Sequence, residues 1–152
     1  MTTLIVIDTS VLVALVDGQD TWHQRAVALC GALHGMDTQV VYFDCVINET
    51  ITVIGRRAEE QRRSEQFDVL LDTLISLVPA DNITWTSVAL QRLFAETVNL
   101  CRMHQGRLNF HDALMALVCR ELKLTYVLSF DSDFDEVAWL TRIADAKALE
   151  RV

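Results

Sequence analysis

The sequence has little of the residues that interrupt regular structure. It contains one proline and five glycines in 152 residues, and no stretch is rich in either. Disordered tails, low-complexity linkers and collagen-like repeats need far more of these residues. The most apolar N-terminal stretch, residues 4–16, is interrupted by polar residues and is too short to cross a bilayer. We therefore expect no membrane segment and no export signal.

The four cysteines do not form a recognisable metal or redox motif. Cys30, Cys45, Cys101 and Cys119 are far apart, and each lies in an apolar, helix-like surrounding. Zinc sites and redox centres use short spacings such as CxxC. We expect reduced thiols in the core of a cytoplasmic protein.

Basic residues are in the minority. Thirteen Lys and Arg stand against 21 Asp and Glu, which gives a formal net charge of −8. Such a surface does not attract a polyanion uniformly, so any nucleic-acid binding has to be local or carried by metal ions. The hydrophobic fraction of 51% and the chain length predict one packed domain over residues 1–152.

Short apolar runs alternate with helical patterns along the chain. Strands are predicted at residues 4–7, 40–43, 83–85, 125–129 and around 140–143. Helices are predicted at residues 9–16, 21–33, 46–54, 67–75, 87–103 and 110–122. Because the first strand is continuously aliphatic, we expect it to be buried on both faces, as in parallel sheets. The alternation predicts a three-layer α/β/α fold with a mainly parallel central sheet.

Local patterns add expectations for single side chains. Thr9 or Ser10 is expected to cap the first helix, and Asp44 the third. Trp22 and Ile75 are expected on the inward faces of their helices. Asn109 is expected to cap the last long helix, which starts at Phe110.

Five acids lie at the ends of predicted elements. Asp8 closes the first strand, and Asp131 and Asp133 follow the fourth. Glu49 and Asp112 lie in the first turns of two helices. In an open parallel sheet, loops at the carboxyl ends of the strands form one crevice. We therefore expect these acids to converge.

Each acid also has a structural explanation. Asp8 and Asp112 stand where helix caps and N-terminal acids belong. Asp131 and Asp133 fit an Asx turn, and Glu49 fits the solvated border of its helix. Asp112, however, faces the apolar side of its helix, a direction that capping alone does not require.

A shared crevice would need cations, because clustered carboxylates raise each other's pKa values by repulsion. Oxygen ligands without His or Cys favour Mg²⁺ or Mn²⁺, which keep water positions open for a phosphate substrate. The chemistry that follows is metal-assisted hydrolysis of phosphodiester bonds.

Four segments resemble, in order, the motifs of the PIN-domain nucleases: Ile7-Asp8-Thr9-Ser10, Asn48-Glu49, Asp112-Ala113-Leu114 and residues 128–134. The resemblance implies a metal site made of Asp8, Glu49, Asp112 and Asp131. It further implies that Asp133 assists this site and that Ser129 orients the fourth acid. Small single-domain members are often VapC-like toxins, which are endoribonucleases held inactive by a cognate antitoxin.

Three basic features lie beside these motifs. His111 stands directly before the third acid, where the family usually has an aliphatic or small residue, so it is either a substrate contact or a solvated helix-start residue. Arg107 is either a phosphate contact or an ordinary loop cation. The run from Arg56 to Arg63 has four Arg against two Glu, and it either guides an RNA backbone or forms a solvated helix face.

The predicted function is a Mg²⁺-dependent endoribonuclease of the VapC-like kind, with RNA as substrate and a small antitoxin as partner. A stand-alone RNA-processing nuclease of the same family is the alternative. A non-catalytic Mg²⁺-binding module is disfavoured, because Asp8 has no adjacent second acid and no Lys closely follows Ser129. An apolar surface at residues 66–77 would suit a homodimer, an antitoxin or the core.

Overall fold

The structure, a computed structural model, describes residues 1–152 and contains one five-stranded sheet. Its strands are β1 (Thr3–Ile7), β2 (Thr38–Phe43), β3 (Ile83–Thr84), β4 (Tyr126–Leu128) and β5 (Thr141–Ile143). They lie in the order β3-β2-β1-β4-β5, and every neighbouring pair is parallel. The predicted α/β fold with a parallel central sheet is confirmed.

Six α-helices connect the strands. They are α1 (Thr9–Val16), α2 (His23–Leu33), α3 (Asp44–Glu60), α4 (Phe67–Leu77), α5 (Ser87–Met103) and α6 (Phe110–Leu122). Short 3₁₀ helices cover Ser64–Gln66, Ala80–Asn82, Ser132–Glu136 and Ala146–Arg151. Because crossovers between parallel strands are right-handed, α1 to α4 cover one face of the sheet and α5 and α6 the other. No helix has the length and apolar character needed to span a membrane.

Strand β1 lies at the centre of the sheet, as its aliphatic run predicts. Ile5, Val6 and Ile7 are almost completely buried, and Val6 pairs with Val41 on one side and Val127 on the other. Both faces of this strand are therefore covered by helices, so it has no polar face.

The chain changes direction across the sheet between β1 and β4. From β1 it proceeds to β2 on one side, whereas β4 lies on the other side of β1 and leads outward to β5. Such a switch point opens a crevice at the carboxyl ends of the two strands. The Asp8 backbone N–H donates to the Leu128 carbonyl oxygen at 2.9 Å, which places Asp8 beside the start of the loop after β4.

Two of the predicted helix caps are wrong. Asp8 is the N-cap of α1, which agrees with the structural explanation of Asp8 as a helix cap, and the expectation of Thr9 or Ser10 is wrong. The Asp44 carboxylate does not cap α3; it accepts hydrogen bonds from the backbone N–H of Thr86 at 2.6 Å and of Ser87 at 3.2 Å. Strands β2 and β3 are neighbours, so the start of α3 lies beside the start of α5, where unpaired N–H groups attract an acid.

Two predicted inward-facing residues lie at the surface. Helix α2 begins at His23, one residue after Trp22, and the Trp22 side chain is 40% exposed. In α4 the buried positions are Leu70 and Leu74, and Ile75 is 57% exposed. Ile75 directly follows Leu74 and therefore lies about 100° around the helix from it, outside the buried face formed by Leu70 and Leu74.

The thiols are all free, as expected. Cys45 and Cys119 are buried, but Cys30 and Cys101 are only partly buried. The expectation of four core cysteines is therefore correct for two of them.

Candidate active site

A crevice of about 190 Å³ opens at the carboxyl ends of β1 and β4. Four predicted acids line it: Asp8, Glu49, Asp112 and Asp131. They come from the end of β1, from α3, from α6 and from the loop after β4. Segments far apart in sequence thus bring four carboxyl groups to one place. Asp133, the fifth predicted acid, does not line the crevice.

Asp8 is held by two serine hydroxyls. Ser10 Oγ and Ser129 Oγ each donate to Asp8 Oδ2 at 2.8 Å. Each serine also accepts a backbone hydrogen bond, Ser10 from Phe130 N and Ser129 from Asp131 N, both at 3.0 Å. Asp8 is thereby joined to the loop that carries Asp131. Ser129 thus contacts the backbone of Asp131, the fourth acid, through its hydroxyl oxygen.

Asn109 links the acids of α3 and α6. Its side-chain Nδ2 donates to Glu49 Oε1 at 3.0 Å, and its Oδ1 accepts from Asp112 N at 2.9 Å. Asp112 Oδ2 in turn accepts from Asn109 N at 3.2 Å, which completes a capping box. Glu49 is also bound by Thr9 Oγ1 at 3.0 Å. Asp112 therefore completes the capping box of α6 and also lines the crevice.

The carboxylates influence each other's ionisation. Burial raises the pKa of Asp112 to about 8. The other carboxylates that add to this shift by repulsion are those of Asp8, Glu49 and Asp131. Burial also raises the pKa of Asp8, although hydrogen bonds from Ser129 and Ser10 oppose the shift. In the absence of a cation, the crevice therefore tends to hold a proton on Asp112 at neutral pH.

Asp131 and Asp133 form the expected Asx turn. Asp131 Oδ1 accepts from Asp133 N at 2.9 Å and caps the 3₁₀ helix Ser132–Glu136. The Asp133 carboxylate points instead towards Arg107, with 3.9 Å between Oδ1 and Nε. Partial burial and the charge of Asp131 raise the pKa of Asp133. Asp133 thus contacts Asp131 through its backbone rather than through its carboxylate.

The donor set of the crevice is chemically suited to a hard divalent cation, because it offers carboxylate, hydroxyl and amide oxygens and no thiol or imidazole. No three His, Cys, Asp or Glu side chains already stand at the spacing of a single coordination shell. Mg²⁺ does not require such a cage, since it commonly binds through one or two carboxylates and retains several waters. The residues present therefore fit the ion.

Comparison with known proteins identifies the family. The PIN domain family model matches residues 5–140. The chain belongs to the PIN domain family. The match confirms the resemblance seen in the four sequence motifs.

The fold of this PIN domain also occurs in a solved structure. The crystal structure of Mycobacterium tuberculosis VapC20, described as a toxin that cleaves the sarcin-ricin loop, superimposes with a TM-score of 0.68 at 20% identity. The similarity covers 90% of this chain and 96% of VapC20. No curated protein sequence matches the chain.

Two of the three basic features lie outside the crevice of the PIN domain. Arg107 Nη2 pairs with Glu136 Oε2 at 2.9 Å, on the exposed side of the loop after β4. His111 is exposed at the start of α6, and its ring packs edge-on to Phe110 at a centroid distance of 6.3 Å. Neither side chain lines the carboxylate crevice.

The run from Arg56 to Arg63 is divided between different roles. The first part belongs to α3, which continues to Glu60. Arg63 is buried and pairs with buried Asp17, and Arg57 pairs with Asp20. Arg56 and Arg57 line the crevice. A uniform basic face is therefore not present, because Arg63 is internal and, with Arg56 beside Glu60 at 3.9 Å, three of the four arginines have acidic partners.

Asn109, Thr9 and Ser10 were not predicted as crevice residues. Ser10 stands inside the first family motif, which provides a signal for it. The sequence predicts Asn109 as a helix cap, three residues before an acid. Its contact with Glu49 joins residues 60 positions apart, and no local sequence pattern predicts that contact.

Proposed function

We propose that this chain is a Mg²⁺- or Mn²⁺-dependent endoribonuclease and the toxin of a VapBC-like pair. The observation that carries the proposal is the convergence of four carboxylates from four segments in one crevice. Membership of the PIN domain family and the fold shared with an RNA-cleaving toxin support it. The natural partners under this proposal are an RNA substrate and a small antitoxin.

In the proposed site, Asp8, Glu49, Asp112 and Asp131 would hold the ion, directly or through its waters. When bound, the cation would supply electrostatic stabilisation of the phosphate charge and an activated water for phosphodiester hydrolysis. Ser10 and Ser129 fix the Asp8 carboxylate, and Asn109 fixes Glu49 relative to Asp112. Asp133 assists by holding Asp131 through its N–H group.

Asp112 makes the site sensitive to protons. Its pKa of about 8 means that it carries a proton in the metal-free crevice below that pH. Asp112 would have to lose this proton before it could bind a cation, so apparent metal affinity should rise as pH approaches 8. Arg56 and Arg57 both lie at the crevice; Arg57 is paired with Asp20, so it is Arg56, whose contact with Glu60 is exposed and 3.9 Å long, that supplies positive charge near the RNA backbone.

Divalent cations are expected to raise the melting temperature. The ion binds the assembled crevice and not the dispersed acids of the unfolded chain, so binding stabilises the folded state. At about 100 times the dissociation constant the gain is about 2.7 kcal/mol, a shift of several degrees for a domain of this size. Melting curves in chelator and in millimolar Mn²⁺ measure the effect. No response in the wild type would contradict a shared metal site.

Two comparisons sharpen the melting experiment. Asp131→Asn should slightly stabilise the metal-free protein and reduce the metal-induced shift, because it removes one repelling charge.

The pH dependence of the free energy of unfolding also has a definite sign: the folded-state pKa of Asp112 is raised from 3.8 to about 8. In chelator, its contribution to stability is therefore fully present below pH 3.8 and is lost as pH rises through about 8. Asp112→Asn should flatten this dependence.

Expression of the wild-type chain alone is expected to arrest growth, whereas an Asp8→Asn chain should be harmless. The two chains differ only at position 8, where an amide replaces the carboxylate, so a difference in growth reports the nuclease activity. Growth curves after induction, with soluble expression verified, decide between the candidates. Normal growth with a soluble and active nuclease would favour the stand-alone processing enzyme.

A further inference from the structure

A second pocket, of about 460 Å³, adjoins the carboxylate crevice. We call it the Trp22 pocket; it is lined by the loop between α1 and α2 and by the end of α3. Ser10 and Arg57 line both the pocket and the crevice, so the two cavities are contiguous. Its volume lies in the range of small-molecule sites.

Trp22 is held in a defined position although its side chain is 40% exposed. Its ring meets the Phe130 ring edge-on at a centroid distance of 5.0 Å. The Arg25 guanidinium lies 4.8 Å from the Phe130 centroid and 5.7 Å from that of Trp22. The Trp22 backbone N–H donates to Asp20 Oδ1 at 2.8 Å. An exposed indole that is fixed in this way offers a rigid surface for stacking.

The position of Trp22 is coupled to the metal-site acids. Phe130 directly precedes Asp131, and its N–H donates to Ser10 Oγ at 3.0 Å. Ser10 Oγ in turn donates to Asp8. Phe130 therefore connects the Trp22 ring to its chain neighbour Asp131. It also connects Trp22 to Asp8 through the Ser10 hydroxyl. A ligand stacked on Trp22 would lie directly beside a substrate in the crevice.

The charges of the Trp22 pocket favour a neutral polar ligand. Asp17 and Asp20 line the pocket, but each is paired with an arginine, Arg63 and Arg57 respectively. Glu60, the third acid, is exposed and lies 3.9 Å from Arg56. A phosphate finds no unpaired guanidinium in this pocket. A nucleobase, in contrast, is uncharged and planar.

Polar groups on the pocket wall are of the kind that form hydrogen bonds with the edge of a nucleobase. Gln19, Thr21 and Gln61 line the pocket and present amide or hydroxyl groups. Proteins that read unpaired RNA bases combine an aromatic stacking surface with such hydrogen-bonding groups.

We infer that the Trp22 pocket binds one unpaired nucleobase of the RNA, next to the phosphate that lies in the carboxylate crevice. The inference rests on the proposed ribonuclease function and adds to it a base-binding subsite beside the crevice. A paired base is already stacked within its helix and is not available to Trp22.

The test measures binding of a short, fluorescein-labelled, mixed-sequence single-stranded RNA pool by anisotropy in chelator. Trp22→Ala should weaken binding by about tenfold or more, the effect of losing one stacked base, whereas Trp22→Phe should retain most of the affinity. Trp85→Ala is the matched control, because Trp85 is 60% exposed and lines neither cavity. With an abasic pool of the same backbone, the difference between wild type and Trp22→Ala should vanish.

A second readout uses cleavage of the same pool in Mg²⁺. Trp22→Ala should raise KM by about tenfold with little change in kcat, as expected for a contact that the substrate makes before and during reaction. Wild-type-like KM and affinity in Trp22→Ala, with active wild type, would overturn the base pocket and leave the ribonuclease proposal standing. If Trp22→Ala loses a co-purifying protein but not RNA, the surface belongs to a protein partner. A wild type that neither binds nor cleaves RNA overturns both proposals.

Discussion

Asp8→Asn and Asp112→Asn should each reduce RNA cleavage to less than about a tenth of the wild-type rate, since each removes a negative oxygen ligand from the proposed metal site. Both changes preserve side-chain volume. An amide oxygen at position 8 can still accept from the hydroxyls of Ser10 and Ser129, and one at position 112 can still accept from Asn109 N. The variants should therefore fold, and cleavage of an RNA pool at matched protein concentration measures the loss.

Glu49→Gln should behave in the same way, because Glu49 lines the same crevice. Asp81→Asn is a suitable control, since Asp81 is exposed in the 3₁₀ helix Ala80–Asn82, away from the site. It should cleave like the wild type. If Asp8→Asn or Asp112→Asn retains more than about a tenth of the activity, these carboxylates serve folding and not catalysis.

Arg63→Ala is expected to lower the free energy of unfolding by about 3 kcal/mol or more, because it leaves the buried carboxylate of Asp17 without its charged partner. The side chains of Arg63 and Asp17 are only 8% and 3% exposed. Burial by itself would raise the pKa of Asp17, but hydrogen bonds from Arg63 and from Gln19 N hold it below its usual value. Urea unfolding curves measure the loss.

The neighbouring arginine provides the control for that experiment. Arg62 is exposed and forms no ion pair, so Arg62→Ala should change stability by no more than about 0.5 kcal/mol. Both positions belong to the same basic run, so the difference between the two variants isolates the buried pair. Equal effects would show that the Asp17 contact contributes nothing beyond the loss of one surface cation.

Much of the fold follows from local pattern. The aliphatic run at β1 can be satisfied only by a strand covered on both faces, and alternation of strands with helices leads to a parallel sheet. The acids at strand ends then converge, because the carboxyl ends of parallel strands share one edge. The four acids Asp8, Glu49, Asp112 and Asp131 accordingly lie around one cavity.

The remaining features depend on contacts between distant segments. Asp44 serves the start of α5, 42 residues away, and Arg63 reaches Asp17 across 46 residues. The local sequence around Asp44 is that of an ordinary helix cap, and that around Arg63 is that of a solvated helix. Trp22 fits the apolar side of α2 by spacing, but the helix begins after it, so the ring packs against Phe130 instead. These contacts are determined by tertiary packing and not by the local sequence.

The central claim is that the carboxylate crevice hydrolyses RNA with a divalent cation. It is tested most directly by incubating purified wild-type protein and Asp112→Asn with a total RNA pool, in Mg²⁺ and in chelator. We expect cleavage by the wild type in Mg²⁺, none in chelator, recovery when excess Mg²⁺ is restored, and intact RNA with Asp112→Asn throughout. Equal cleavage in chelator, or intact RNA with wild type in both Mg²⁺ and Mn²⁺, would contradict it.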